Sequence, residues 1–237
     1  VDLSAWPEKI EQTTFSGIVH VATSHEILLQ HHQGFADRAQ QRAFDKTTVF
    51  DIGSLTKQFV AIAIMRLVEQ GKLETTATLD QYFPMVPADK KPISIHQLLT
   101  HSSGLPTNLA NHQLYDKVEA DAFIRLAWQE KLVAKPAEKY NYSNIGYGLL
   151  AHIIEKVSGQ PWELFIQQHI LLPSGLKNTG YRLVQTPVES LAQNYGADPN
   201  WLQRTLGLQA QSRSIGDPLM HLRQDPGARW FEGAGGF

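Results

Sequence analysis

Cysteine is absent from this sequence, and no apolar stretch approaches the length of a membrane-spanning helix. The first absence excludes disulfides, thiolate nucleophiles, iron–sulfur clusters and cysteine-based zinc sites. Apolar segments such as residues 59–65 and 149–154 fall well short of the roughly 18–20 residues that a bilayer requires. An excess of positive charge is also lacking, since 21 Lys and Arg face 23 Asp and Glu for a net charge of −2. Binding to nucleic acid or to anionic lipid is therefore not expected.

Signatures of bound metals and cofactors are missing as well. The ten histidines show no zinc-binding helix spacing such as His-Glu-x-x-His. No Gly-x-Gly-x-x-Gly segment, P-loop or Gly-x-Ser-x-Gly elbow occurs, which disfavours nucleotide cofactors and the α/β-hydrolase route. We expect neither a metal nor an organic cofactor, and the sequence does not indicate an oligomeric state.

The patterns that are present change in type along the chain. Residues 16–22 and 27–31 alternate as an antiparallel hairpin around a polar turn, and a third extended piece follows. Helical patterns then appear at residues 55–69, 93–99, 121–130, 145–157 and 162–172. Strands followed by a block of helices favour an α+β fold over alternating βαβ units.

The segment Ser54-Leu-Thr-Lys57 opens the most apolar of these helical patterns. Ser54 lies where a helix N-cap is expected, and the third position after it, often Glu or Gln, is Lys57. A cation beside the positive helix end and an apolar run is driven toward its neutral form. A spacing of three puts both side chains on one face, where a neutral amine can take the hydroxyl proton. A capping serine with a solvated lysine is the alternative.

Two comparison patterns bear on this hypothesis. The spacing recurs at Ser174 and Lys177, but these follow a proline and open no helical pattern, so they indicate a turn. Tyr142 and Asn144 precede the helix predicted at 145–157. A phenol near a lysine can relay protons, and a carboxamide can orient a substrate amide. An aromatic residue with a helix-capping Asn is the alternative.

These motifs together resemble the serine β-lactamase and penicillin-binding protein family, in its class C β-lactamase, D-alanyl-D-alanine carboxypeptidase and esterase branch. The resemblance covers most of the chain from Phe15 onward. Its most specific stretches are residues 34–38, 50–59, 95–105, 142–150 and 172–179.

The resemblance implies a role for each motif residue. Ser54 is expected to be the acylated nucleophile, with its backbone N–H as half of an oxyanion hole, and Lys57 its proton acceptor. Tyr142 is expected to be the proton shuttle, and Asn144 the contact to the substrate amide.

Two departures from the family pattern stand out. The third family box, Lys- or His-x-Gly, is not found after Tyr142: residues 32–34 come too early and residues 177–180 have one residue too many. The end at residues 233–237 resembles the family segment that precedes another helix and the closing strands, so we expect the C-terminal sheet strands to be missing from this chain. Ala137 stands where relatives usually have glycine, which predicts an altered turn.

The implied fold is α+β and β-lactamase/transpeptidase-like, with an antiparallel sheet flanked by helices and a mostly helical domain. We predict an N-terminal part of the α/β domain at 1–50, the helical domain at 51–185 and an incomplete return segment at 186–237. The implied activity is that of a serine hydrolase forming an acyl-enzyme with a β-lactam, a D-Ala-ended peptide or an ester. The alternative is a non-hydrolytic penicillin-binding or scaffold homologue. The expected substrates are small molecules or peptidoglycan-derived, and the expected location, by analogy, is periplasmic or secreted.

Overall fold

The computed structural model describes residues 2–113, 116–181, 187–197, 205, 215–219 and 230–237. Contacts divide the chain into two compact units. The first comprises Val1–Phe50 with Val184–Asp225, and the second Asp51–Leu183 with Pro226–Phe237. Helices and small antiparallel sheets are both present, which confirms the predicted α+β class. The predicted domain limits stay a prediction.

In the residues that the structure describes with full element ranges, the first unit shows a short N-terminal helix and three two-stranded antiparallel sheets. Its elements are α1 (Trp6–Glu11), β1 (Gly17–Ala22), β2 (Ile27–Gln33), β3 (Phe35–Asp37), β4 (Arg42–Ala43), a 3₁₀ turn (Val188–Ser190), β5 (Tyr195–Ala197) and β6 (Ile215–Pro218). The predicted hairpin is β1 paired with β2, and β3 is the predicted third extended piece. Thr23 closes the hairpin turn, since its N–H donates to the carbonyl of Glu26 (2.8 Å) and its hydroxyl accepts from the Glu26 N–H (3.1 Å).

The second unit is mostly helical and carries the predicted site residues. Its helices are α2 (Thr56–Glu69), α3 (Ile95–Leu99), α4 (Ala120–Gln129), α5 (Asn144–Ser158), α6 (Trp162–Ile166) and α7 (Glu232–Gly235), with 3₁₀ turns at Gly53–Leu55 and Leu79–Gln81. The π-helical turn Gln167–Leu171 continues α6. The predicted helices are therefore confirmed, with ends shifted by a few residues. Among the described helices, none combines the length and apolar character needed to cross a membrane.

Helix α5 forms the centre of this unit because nearly all of its first three turns are buried. Ile145, Leu149 and Ile153 are inaccessible to solvent, and burying such a side chain stabilises the fold by roughly 1.5–3 kcal/mol. Gly159 ends the helix in the left-handed conformation (φ 73°), as the sequence predicts.

Small residues let neighbouring segments approach α5 closely. A Cβ atom on Gly148 would lie 2.6 Å from Cζ of Phe123 in α4. A Cβ atom on Gly233 would lie 2.6 Å from Cβ of Ala151 and 3.0 Å from the carbonyl oxygen of Tyr147. This close packing of α7 on α5 holds the carbonyl of Ala234 within reach of α2.

Candidate active site

Ser54 lies in the 3₁₀ turn that precedes α2, and it is exposed. The prediction that Ser54 is the N-cap of the helix is wrong: α2 begins at Thr56, its N-cap is Leu55, and no side chain caps it. The reason is Gly53, whose φ of 51° is readily adopted only by glycine and leads into an extra turn. The Ser54 hydroxyl therefore does not cap α2, and its hydrogen-bond partners are the side chains of Lys57 and Tyr142.

Lys57 is almost completely buried, with 6% of its surface exposed. Its Nζ lies 2.8 Å from Oδ1 of Asn144, 2.7 Å from the carbonyl oxygen of Ala234 and 3.3 Å from Oγ of Ser54. The predicted Ser54–Lys57 proximity is thus observed, and the alternative of a solvated lysine is wrong. Burial lowers the pKa of Lys57, an effect that the neighbouring Tyr142 partly opposes.

The three contacts of Nζ differ in what they can do. The oxygens of Asn144 and Ala234 are carbonyl oxygens, which only accept hydrogen bonds, so the amine must donate to both. A neutral amine has two protons and one lone pair. With both protons committed, its lone pair is left for Ser54, whose hydroxyl can donate. The geometry therefore suits a neutral lysine that acts as the base for Ser54.

Tyr142 also contacts Oγ of Ser54. Its hydroxyl donates to Oγ of Ser54 at 2.8 Å, and its ring centroid lies 4.7 Å from Nζ of Lys57. A serine hydroxyl can accept one hydrogen bond and donate another at the same time. Ser54, Lys57 and Tyr142 thus form a connected path for a proton.

Asn144 is the first residue of α5, and its side chain is free for the site because another residue caps the helix. Ser143 is the N-cap: its hydroxyl accepts from the N–H of Gly146 (3.1 Å) and donates to the carbonyl of Pro106 (2.7 Å). The alternative that Asn144 is a capping residue is therefore wrong. Its Oδ1 accepts from Lys57, and its Nδ2 donates to Oδ1 of Asn108 at 2.7 Å.

Sequence reasoning missed two groups of this site, Asn108 and the carbonyl of Ala234. Neither belongs to a short motif. Asn108 is 36 residues from its partner Asn144 along the chain, and Ala234 is 177 residues from its partner Lys57. Ser174 and Lys177, which have the same spacing as Ser54 and Lys57, lie in an exposed turn, as predicted. Residues 32 and 33 lie in β2, and residues 177–180 follow α6 as a turn. The third family box stays unassigned.

Metal coordination is not suggested by the arrangement of acidic and imidazole side chains. Within the ranges that the structure describes, no group of three or more such side chains is placed to hold a metal ion.

Comparison with known proteins assigns the chain to a family. The Beta-lactamase family model matches residues 8–236. Penicillin-binding protein 4* of Bacillus subtilis is 33% identical over 197 residues, which are 79% of this chain and 43% of the relative. Esterase EstB of Burkholderia gladioli is 27% identical over 75% of this chain and 50% of its own length.

The solved structure of FmtA from Staphylococcus aureus shares the fold, with a TM-score of 0.77 and 22% identity over 97% of this chain and 59% of that one. This chain spans about half the length of the curated relatives it matches. The family match over nearly all of its residues shows that the chain belongs to the Beta-lactamase family.

Proposed function

We propose that this chain carries the acylation site of a serine acyl-transfer hydrolase. The observation that carries the proposal is the convergence of Lys57 Nζ (3.3 Å) and Tyr142 OH (2.8 Å) on Oγ of Ser54. A nucleophilic hydroxyl needs a base within hydrogen-bond reach, and a buried amine of lowered pKa provides one. No histidine is required for this activation.

In the proposed reaction, Oγ of Ser54 attacks a substrate carbonyl carbon while its proton passes to the lone pair of Lys57 Nζ. The tetrahedral intermediate collapses with cleavage of the carbonyl bond to the leaving nitrogen or oxygen. That atom takes a proton from Tyr142, which recovers one from Lys57. The product is an ester on Ser54, and water returns the free serine by the same steps in reverse order.

Substrate positioning falls to groups beside the nucleophile. The backbone N–H of Ser54 lies in the opening turn of a helix, where N–H groups lack intrahelical partners, and it is proposed as one oxyanion donor. Such a donor contributes roughly 3–4 kcal/mol to the transition state. The carboxamide of Asn144 is proposed to hold the amide of the substrate.

The names of the relatives support both an amide-type and an ester-type substrate. One is a penicillin-binding protein and another an esterase. A β-lactam, a D-Ala-ended peptide and an ester therefore all remain within the proposal, and a periplasmic or secreted location is proposed on the same analogy. The second candidate function is recognition of penicillin without turnover, which the penicillin-binding relatives support.

The test is intact-mass analysis of the chain after exposure to a penicillin, with Ser54→Ala and Ser174→Ala as matched variants. A mass increase equal to one penicillin is expected in the parent protein and in Ser174→Ala, whose serine has the same spacing to a lysine but lies in an exposed turn. Ser54→Ala should show none, because the attacking oxygen is gone.

The lifetime of the adduct separates the two candidate functions. An adduct that disappears while hydrolysed penicillin accumulates supports a hydrolase, and one that persists supports recognition without turnover. Hydrolysis of a short-chain aryl ester, measured in parallel, tests whether esters are substrates. An adduct that survives in Ser54→Ala, or a parent protein inert to both probes, contradicts the proposal.

A further inference from the structure

The loop after α3 places an imidazole at the centre of an aromatic cluster behind Tyr142. The ring centroid of His101 lies 4.5 Å from that of Tyr142, 5.1 Å from that of Tyr147 and 5.7 Å from that of Tyr140. His101 has a φ of 56°, a left-handed conformation that costs roughly 1–2 kcal/mol for most residues and that His and Asn tolerate better. A strained backbone inside a packed cluster suggests that a specific orientation is required there.

His101 also binds the backbone on both sides of Tyr142. The N–H of Asn141 donates to the His101 carbonyl at 2.7 Å, and the N–H of Ser143 donates to Nδ1 of its ring at 3.1 Å. Two hydrogen bonds and one ring contact thus hold the three-residue segment that carries the phenol. The hydroxyl of that phenol is the one that contacts Ser54.

We infer that His101 is a positioning residue, which fixes the phenol of Tyr142 against Ser54 by accepting the Ser143 N–H at Nδ1. The inference rests on the proposed function, since it assigns a purpose to the position of Tyr142. His101 itself has no contact with Ser54 among the hydrogen bonds of the site. As a neutral ring, it acts on the reaction through the segment that it holds.

The role requires a neutral imidazole with its proton on Nε2. Protonation would place a hydrogen on Nδ1, facing the Ser143 N–H, and would break that bond. The surroundings favour the neutral form: burial lowers the pKa of His101, and Lys57 on α2, whenever it is protonated, lowers it further. The other titratable groups facing the ring are the phenols of Tyr140, Tyr142 and Tyr147.

The test compares His101→Asn with His101→Gly, with His96→Asn as the control. Both Asn and Gly accept a positive φ, but only Asn keeps an acceptor, its Oδ1, at the position of Nδ1. His96 is an exposed imidazole on α3 and should be dispensable. The maximal rate of acylation by a penicillin should fall about 10- to 100-fold in His101→Gly, the effect of displacing a reacting group by about 1 Å. His101→Asn should recover most of that loss.

The half-saturating penicillin concentration should stay the same in all variants, because His101 is not among the groups proposed to hold the substrate. An unchanged maximal rate in His101→Gly, or an equal loss in both variants, overturns the inference.

The pH profile supplies a second measurement that does not depend on the glycine variant. In the parent protein the acid limb of the acylation rate should steepen beyond a slope of one where His101 begins to protonate, and the added loss should not exceed the 10- to 100-fold expected for His101→Gly, because the protonated ring no longer accepts the Ser143 N–H. His101→Asn cannot titrate and should keep a slope of one. An identical profile in the two proteins overturns the inference.

Amide exchange of Ser143, followed by NMR, tests the positioning without any reaction. Exchange should be about 5- to 10-fold faster in His101→Gly than in His101→Asn, the effect of losing one hydrogen bond. If the parent protein forms no adduct at Ser54, the proposed function fails while this measurement still decides whether His101 holds the segment. Equal exchange in the two variants overturns the positioning role even where acylation is intact.

Discussion

The Nζ atom of Lys57 and the Oδ1 atom of Asn144 lie 2.8 Å apart, so a buried amine is held by a neutral amide oxygen instead of by a carboxylate. The distinction matters for proton transfer. A carboxylate at this distance would favour the ammonium form and raise the pKa of the amine, whereas an amide leaves the effect of burial in force. The contact with Asn144 thereby orients the lysine without adding a carboxylate that would raise its pKa.

Replacing Asn144 by Asp should move the acid limb of the acylation rate to higher pH. The base must be neutral to act, so the rate falls tenfold for each pH unit below the pKa of Lys57, which burial holds under its ordinary value of 10.5. A carboxylate in contact with Nζ should raise this pKa by about 1–3 units and shift the limb equally. Rates of penicillin acylation measured across pH give the shift. The control is Asn108→Asp, which lies one contact further from Nζ and should shift the acid limb less. An acid limb at the same pH in Asn144→Asp and the parent protein would show that Lys57 is not the base.

Replacing Tyr142 by Phe should slow acylation about 10²- to 10⁴-fold, the usual contribution of a positioned acid or base. The ring keeps its packing, so the free energy of unfolding should change by less than about 0.5 kcal/mol. The control is Tyr147→Phe, because the Tyr147 hydroxyl donates to the carbonyl of Leu99 (3.1 Å) instead of to Ser54. That variant should lose about 0.5–1.5 kcal/mol of stability and retain most of its acylation rate. The opposite pattern would contradict the proton path through Tyr142.

The sequence predicted the long helices and the contact between Ser54 and Lys57 because both follow from local rules. Apolar periodicity marks α2 and α5, and a spacing of three brings two side chains of one chain segment together. Helix α1 was missed because it is only six residues long and has a single buried residue, Ile10.

The parts of the site that were not predicted depend on tertiary packing. The position of the Ala234 carbonyl follows from the fit of Gly233 against Ala151, and no pattern in residues 233–237 indicates that contact. The N-cap assignment of Ser54 failed for a local reason, since the positive φ of Gly53 inserts a 3₁₀ turn that capping rules do not anticipate.

Replacing Gly148 by Ala should destabilise the protein. The new Cβ would lie 2.6 Å from Cζ of the buried Phe123 and 3.2 Å from the carbonyl oxygen of Trp230, so the packing of α4 against α5 must shift. Overpacking of this kind costs about 1–3 kcal/mol. Gly146 offers a control in the same helix, because its nearest neighbours would be 3.6 Å or more from a Cβ. Urea unfolding should show a loss for Gly148→Ala and none for Gly146→Ala, which gains helix propensity; equal losses would contradict the packing argument.

Replacing Ala137 by Gly should stabilise the protein by about 0.5–1 kcal/mol. Ala137 has a φ of 66°, which strains any residue with a Cβ, and its N–H still donates to the carbonyl of Ser102 at 2.8 Å. Glycine removes the strain and keeps the hydrogen bond. The control is Ala110→Gly. Ala110 is another exposed alanine of the helical unit, and it has no positive φ. Only the entropy of the unfolded state changes there, so a small loss of stability is expected. Thermal unfolding of both variants measures the difference, and a loss at residue 137 would contradict the prediction.

Helix capping by Ser143 and the proposed substrate contact of Asn144 fall on adjacent residues at the start of α5. The hydroxyl of Ser143 accepts the Gly146 N–H and donates to the Pro106 carbonyl, whereas the carboxamide of Asn144 does not cap the helix and bonds to Lys57 and Asn108. A mutant library at position 144 leaves this cap in place, but it also changes the oxygen that accepts a hydrogen bond from the buried Lys57. A library at position 143 is filtered first by folding, since loss of the cap costs about 1 kcal/mol. Laboratory evolution at the start of α5 would therefore meet two different filters: the state of the Lys57 amine at position 144 and helix capping at position 143.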